Sequence, residues 1–255
     1  MIGDDANTEG RAIDLQLFGW WNLQAEGRSV PLGHREQRLV ALLALRGSRP
    51  RSHVAGVLWP DTTEARALAS LRAAVLHVRR SVDDLLDAGQ TMIGLCPQVH
   101  VDVSDLHRCV DDIVHSVDVD PTRAMTLLEH AELLPGWYED WVLFERERLQ
   151  HARLRALEEL AVKELERGQT ALAVEAAELA IDIEPLRETA HLLAIRAHLA
   201  AGNRPGAIRA YQAYRYQLAR ELGIEPSPEV TAIVRSIVGS GRGGRPDVDM
   251  ELRTL

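Results

Sequence analysis

Many arginines of this sequence fall within one short segment, so their guanidinium groups could together bind an anionic ligand. That segment contains Arg28, Arg35, Arg38, Arg46, Arg49, Arg51, Arg66, Arg72, Arg79 and Arg80. Against these ten arginines stand three acidic residues, so the segment carries +7; the whole chain carries −9, which leaves −16 for the remainder. Guanidinium groups bind phosphates and the acceptor atoms of guanine. A basic segment in an acidic chain is typical of a nucleic-acid-binding module, although charge alone fits a solvated arginine-rich surface equally well.

Motifs for metal binding and catalysis are incomplete. Two cysteines and two histidines lie close together along the chain, namely Cys96, His100, His107 and Cys109. Their spacing matches neither CxxC nor HxxxH, so we predict buried thiols and surface histidines rather than a zinc site. The sequence has no GxxxxGK phosphate loop and no GxSxG serine elbow. We therefore predict that the protein is not an enzyme, has no catalytic residues, and takes neither a cofactor nor a metal.

Composition limits where such a chain can act. The sequence has 255 residues, of which 46% are hydrophobic, yet no apolar run approaches the roughly 20 residues that span a bilayer. The acidic N-terminus lacks the apolar segment of a secretory signal. Two cysteines cannot form a disulfide framework. These features predict a cytoplasmic, nucleoid-associated protein without a membrane partner.

The first hundred residues contain the elements that would position the arginines. Alternating apolar residues within 12–32 predict three short strands, because side chains in a strand point alternately to opposite faces. Later patterns predict a helix at His34–Leu45, a second helix capped by Ser52, a third at Glu64–Leu86 capped by Thr62 or Thr63, and a hairpin of Thr91–Leu95 with Val99–Val103. This order is typical of a winged helix-turn-helix.

The third helix is the expected reading element. An apolar stripe runs along one side, formed by Leu68, Leu71, Val75, Val78, Val82 and Leu85. The opposite side could enter a major groove, while the start of the second helix would clamp phosphates. The predicted DNA-binding residues are Arg35, Arg51, Ser52, Arg66, Ser70, Arg72, Ala73, His77, Arg79 and Arg80. The alternative is an ordinary amphipathic helix whose arginines are solvated or paired with Glu64, Asp83 and Asp84.

The predicted hairpin has no arginine or lysine, so we assign the wing no DNA contact.

The rest of the chain predicts helices alone. Their expected ranges are 121–134, 139–167, 170–182, 187–201, 204–222 and 227–238. The segments that begin at Gly168 and Gly202 align at an offset of 34 residues, and each is followed by a Glu-Pro pair. This period and the small residues Ala173 and Ala207 are typical of tetratricopeptide (TPR) repeats. The alternative is an unrelated all-helical bundle.

Over about residues 13–238 the sequence resembles the Streptomyces antibiotic regulatory proteins. The motifs of the DNA-binding part are Leu17–Gly19, Leu58–Arg66, Ala69–Val75 and Val78–Arg80. Those of the activation domain are Leu134–Trp137, Pro185–Glu188, Ala207–Tyr211 and Leu218–Ser227. The resemblance implies an OmpR-type winged helix, binding to tandem direct repeats in promoters, and recruitment of RNA polymerase. The family's Ser/Arg-rich centre of the third helix is Leu76-His-Val78 here, and its wing turn is Gly94–Pro97.

These features predict a mainly α protein with a small β part, in which an N-terminal winged helix-turn-helix precedes an all-α TPR-like domain. The expected organisation is a flexible N-terminus at 1–11, a DNA-binding domain at 12–107, an activation domain at 108–238, and a flexible tail at 239–255. The predicted function is that of a sequence-specific regulator of transcription, and more specifically an activator. Its expected partners are double-stranded promoter DNA, RNA polymerase holoenzyme, and a second protomer in a homodimer. The alternative is a protein-interaction scaffold whose winged helix no longer binds DNA.

Overall fold

A computed structural model describes residues 13–115, 119–129 and 132–239. The ends predicted to be flexible, 1–11 and 239–255, lie outside this part of the chain except for Gly239. The protein divides into two compact units, and the division falls between Ala152 and Arg153. The expected fold class, mainly α with a small N-terminal β part, is confirmed.

Within the described residues, strands are confined to the first unit. They are β1 (Ile13–Gln16), β2 (Asn22–Ala25), β3 (Arg28–Ser29), β4 (Arg49–Pro50), β5 (Leu86–Ala88), β6 (Met92–Leu95) and β7 (Val99–Val101). The helices are α1 (His34–Arg46), α2 (Arg51–Leu58), α3 (Glu64–Ser81), α4 (Asp102–Val114), α5 (Pro121–Glu129), α6 (Asp140–Glu166), α7 (Thr170–Ile183), α8 (Glu188–Ala200), α9 (Arg204–Leu222) and α10 (Pro228–Gly239).

The first sheet has the strand order β3-β2-β1-β7. In β1 the side chains of Ile13 and Leu15 are buried whereas Asp14 is exposed, as the alternating sequence predicts. β1 and β2 pair antiparallel, and β2 returns to β3 through Glu26 and Gly27, which both have positive φ. Two consecutive residues at positive φ give a turn whose twist matches that of the flanking strands. The prediction of three N-terminal strands is confirmed.

The predicted hairpin of Thr91–Leu95 with Val99–Val103 is wrong. β7 pairs parallel with β1, with Ile13 opposite Val99, and so belongs to the first sheet. β6 pairs antiparallel with β5 and β4 in a second sheet of order β4-β6-β5. The wing is therefore the β5–β6 hairpin with its tip at residues 89–91, and Gly94–Pro97 is not its turn. Both runs have strand-like sequences, and periodicity does not reveal which strand pairs with which.

The prediction that the third helix reaches Leu86 is also wrong, because α3 ends at Ser81. Val82 is extended, with φ −146° and ψ 104°, and a short 3-10 turn at Asp83–Leu85 leads into β5. Val82 and Leu85 remain buried and so continue the apolar stripe without being helical. At the start of α3, Thr63 occupies the N-cap position as predicted, without a side-chain capping bond.

One helix near the middle of the chain was not predicted, and another ends earlier than predicted. The unpredicted helix is α4, Asp102–Val114, which begins where the strand to Val103 was expected; at its start the Asp102 carboxylate accepts backbone N–H groups of Leu17, Phe18 and Val103. The helix predicted at 121–134 ends at Glu129 within the described residues, and Leu133 instead forms a β-bridge with Phe18. The second helix starts at Arg51, so Ser52 is not its cap.

The second unit is built from α7 to α10 and the C-terminal half of α6, close to the predicted boundaries. Helices α7 and α9 begin at Thr170 and Arg204, which preserves the 34-residue offset. Ala173 and Ala207 are fully buried. Small side chains at these points let neighbouring helices approach closely and share a core, as TPR-like packing requires.

Candidate nucleic-acid interface

Helix α3 separates its side chains into an interior face and an exposed face. The interior face consists of Ala67, Leu71, Ala74, Val75 and Val78, all of which are buried. Successive residues of an α-helix are about 100° apart, so the residues turned away from this face form a second stripe. That stripe consists of Arg66, Ala69, Arg72, Ala73, Leu76, His77 and Arg80, all exposed except the half-buried Ala73. The long helix thus presents an open basic surface.

The arginines of this surface are not neutralised by acidic partners. Glu64, in the first turn, is the only acidic residue in the sequence of α3. Across the described residues, no carboxylate lies within ion-pair distance of Arg66, Arg72 or Arg80, and none of the three makes a hydrogen bond there. The alternative in which Glu64, Asp83 and Asp84 pair with the arginines is therefore not what the structure adopts. These guanidinium groups remain available for an anionic ligand.

His77 lies at the edge of the exposed face and is held by the first helix. Its Nδ1 is 3.2 Å from Oε1 of Glu36, a residue of α1 that is only 8% exposed. This contact uses one of the two imidazole nitrogens, so His77 has less capacity for DNA than the sequence suggests. Glu36 was not among the predicted site residues, since its role depends on how α1 packs against α3.

The arginines near the wing bind backbone carbonyls of the wing. Arg51 donates its backbone N–H to O of Thr91 at 2.9 Å and its Nη1 to O of Gly89 at 3.2 Å. Arg79 donates from Nη2 to O of Ala88 at 3.5 Å. Arg51, predicted for a phosphate clamp, thus directs both its backbone N–H and its guanidinium group to the wing.

Arg49 joins the same group although sequence analysis did not select it. It is exposed in β4, where it pairs with Ile93 of the wing strand β6. The only sequence signal was the short run Arg49-Pro-Arg51. The wing has no cation of its own, and the fold places Arg49, Arg51 and Arg79 around it.

The remaining predicted residues lie at different places. Ser70 is half-buried on the flank of α3, and Ser52 is exposed in the first turn of α2. Arg35 is exposed in the first turn of α1. The ring of its neighbour His34 is tilted by 57° against that of Trp137, with ring centroids 5.0 Å apart. The structure thus groups five of the predicted α3 residues on one face and leaves Arg35 on a separate helix; the five are Arg66, Arg72, Ala73, His77 and Arg80.

The cysteines and histidines near the wing form no metal centre. In the part of the chain that the structure describes, no group of three or more His, Cys, Asp or Glu side chains is arranged to hold a metal ion. Burial raises the pKa of the thiols of Cys96 and Cys109. None of the helices in the described residues combines the length and apolar character that a membrane crossing needs.

Comparison with known proteins extends this description. Residues 120–238 match the family described as the bacterial transcriptional activator domain. The regulatory protein AfsR of Streptomyces coelicolor is 26% identical over 245 residues; the alignment covers 90% of this chain and 24% of AfsR, so the chain spans about a quarter of that relative. The transcriptional regulatory protein MoaR1 of Mycobacterium tuberculosis is 24% identical over 255 residues, covering 92% of this chain and 81% of MoaR1. The structure of Mycobacterium tuberculosis EmbR in complex with a low-affinity phosphopeptide shares the fold, with a TM-score of 0.63 and 20% identity over 93% of this chain and 67% of EmbR.

Residues 120–238 thus match the bacterial transcriptional activator domain, and most of the chain is similar to the regulators AfsR and MoaR1. These matches support the resemblance of the chain to the Streptomyces antibiotic regulatory proteins, and the EmbR structure has the same fold. The relatives are named as a regulatory protein and a transcriptional regulatory protein, which fits the prediction of a non-enzymatic chain.

Proposed function

We propose that this protein is a sequence-specific DNA-binding regulator, and specifically an activator, that places α3 in the major groove of promoter DNA. The observation that carries the proposal is the exposed face of α3, on which Arg66, Arg72 and Arg80 have no acidic partner among the described residues. Unpaired guanidinium groups on a helix suit phosphates and guanine edges. The proposed DNA-binding domain, 12–107, lies within the first compact unit.

In this proposal the wing region adds a phosphate contact to the contacts that α3 makes. Its hairpin contains no arginine or lysine, but Arg49 is exposed beside it in β4. We infer that Arg49 contacts a phosphate next to the groove that α3 occupies, since phosphate contacts position a protein on the duplex without reading sequence. Arg51 and Arg79 contribute by holding the wing through its carbonyl oxygens.

The test is DNA binding by the full chain with Arg66→Ala and Arg80→Ala combined. We expect the double variant to bind promoter fragments more than about tenfold more weakly in a gel-shift assay, because base and phosphate contacts are lost together. The matched control is Arg155→Ala with Arg209→Ala, which removes two exposed arginines of α6 and α9 and should bind like the wild type. Unchanged affinity in the first variant would reject the assignment of α3.

A second measurement separates this function from the scaffold alternative. A protein-interaction scaffold would enrich no promoter fragment over bulk genomic DNA in a pull-down from sheared chromosomes.

We propose that the activation domain, 108–238, contacts RNA polymerase holoenzyme or a second protomer on tandem direct repeats. Transcription in vitro with purified polymerase tests the first contact, and sedimentation of the protein on one-repeat and two-repeat duplexes tests the second. This function would place the protein in the cytoplasm at the nucleoid.

A further inference from the structure

Leu76 is the one large apolar side chain of α3 that is exposed. It is 49% exposed, whereas Leu71, Val75 and Val78 face the interior. A single exposed leucine on a protein surface needs no explanation. Leu76, however, lies within the basic face that the proposed function assigns to DNA, between Arg72 and Arg80 along the helix.

Leu76 continues a narrow apolar strip along that face. Ala69, Ala73 and Leu76 are spaced by four and then three residues, so they lie one above another on the helix. Arg66 and Arg72 lie on opposite sides of the strip, and Arg80 lies beyond its end. At a rise of 1.5 Å per residue the strip is about 10 Å long, which corresponds to roughly three base pairs.

The strip has no hydrogen-bonding group to offer a base. Alanine and leucine side chains neither donate nor accept, and the neighbouring His77 already directs Nδ1 to Glu36. Small side chains at Ala69 and Ala73 allow the helix axis to approach the floor of the groove. The major groove of ordinary DNA displays one apolar group, the C5-methyl of thymine, and apolar side chains read it by direct contact.

We propose that Leu76 is a specificity-determining residue that recognises the methyl group of a thymine, while the flanking arginines hold the phosphates or guanines on either side. Charge complementarity favours a nucleic acid duplex as the ligand of this α3 face. A protein partner that covered Leu76 would also bury the unpaired guanidinium groups beside it, which is unfavourable. The inference rests on the proposed function, since it names what the α3 face reads.

The experiment uses the full chain and duplexes that it selects from a random library. Each thymine of a selected duplex is replaced singly by deoxyuridine, which removes only the C5-methyl group. For the wild type, we expect one position to lose about fourfold in affinity, the effect of exposing one methyl-sized apolar group. Leu76→Ala should bind the thymine duplex about as weakly as the wild type binds the uracil duplex, and should not distinguish the two.

A matched control is Leu222→Ala, which removes a leucine of similar exposure at the end of α9. That variant should keep wild-type affinity and the full penalty for deoxyuridine. Specific DNA binding without any deoxyuridine effect would overturn the role of Leu76 and leave the proposed function intact. A deoxyuridine penalty that persists in Leu76→Ala would assign the methyl contact elsewhere. Failure of the wild type to enrich any duplex would overturn the proposed function, and this inference with it.

Discussion

Arginines of the same segment serve two purposes here, and the surroundings of each guanidinium group decide which. Arg79 donates a hydrogen bond from Nη2 to the carbonyl oxygen of Ala88, so its side chain helps to hold the wing. Arg80, the next residue, lies on the exposed face of α3 and makes no hydrogen bond or ion pair within the described residues. Residue type alone marked both for DNA, and the direction of each side chain on α3 separates them.

His100 provides a pH-dependent prediction at the residue scale. It lies on β7, with Nε2 2.8 Å from Asp105 of α4 and Nδ1 3.2 Å from Asp14 of β1. The hydrogen bond to Asp105 is the main reason why the pKa of His100 is raised above its ordinary 6.5. Protonated His100 therefore stabilises the fold, fully below about pH 6.5, and this contribution disappears as the pH rises through the folded-state pKa.

We expect His100→Gln to lower the midpoint of urea unfolding at about pH 5.5 and to change it much less at about pH 9. Unfolding followed by circular dichroism at both pH values measures the difference. The control His53→Gln removes an exposed histidine of α2 that has no carboxylate partner among the described residues. An equal loss at both pH values for His100→Gln would contradict the proton linkage.

At the element scale, the helices of the second unit were predicted well, whereas α4 was missed and strand partners were predicted poorly. α9 occurs at the predicted 204–222, with Asn203 capping it through a bond to the Gly206 N–H and Gly223 ending it at φ 68°. Those signals are local, so a short stretch of sequence contains them. The partner of β7 is β1, far away along the chain, and no pattern within Val99–Val101 indicates it.

Close packing of the helical repeats gives a second prediction. Ala207 of α9 is fully buried against Ile195, Tyr211 and Val230. Ala207→Leu should reduce the free energy of unfolding by about 1–3 kcal/mol, because a filled core must move to accept a larger side chain. Ala219→Leu, on an exposed position of the same helix, should change it by less than about 0.5 kcal/mol, since alanine and leucine have similar helix propensities. Chemical denaturation of both variants tests this, and equal effects would contradict close helix packing at Ala207.

At the scale of the whole molecule, charge is distributed unevenly. Residues 28–80 carry +7 and the rest carries −16, so the acidic total conceals the basic segment. All ten arginines of that segment lie in the first compact unit. An acidic isoelectric point is therefore compatible with DNA binding here, because Coulomb interactions act over about one Debye length and the local surface dominates.

This distribution predicts how salt affects binding. If Arg72, exposed on the flank of α3, contacts a phosphate, Arg72→Ala should reduce the slope of log K against log salt concentration by about 0.9. Fluorescence anisotropy titrations between low and moderate salt measure the slope. Arg209→Ala, in the second unit, should leave it unchanged. A slope that is the same in the Arg72 variant would place Arg72 away from the phosphates.

Local sequence patterns were sufficient to predict the helices of the second half, the 34-residue repeat, the apolar interior of α3 and the arginines opposite it. Each of these depends on neighbours a few residues apart along the chain. The pairing of the strands, the end of α3 and the choice of arginines that hold the wing became visible in the folded protein. Those outcomes depend on contacts between distant segments, such as Asp102 with Leu17 and Arg51 with Thr91. A local stretch of sequence does not indicate which distant segment it will meet.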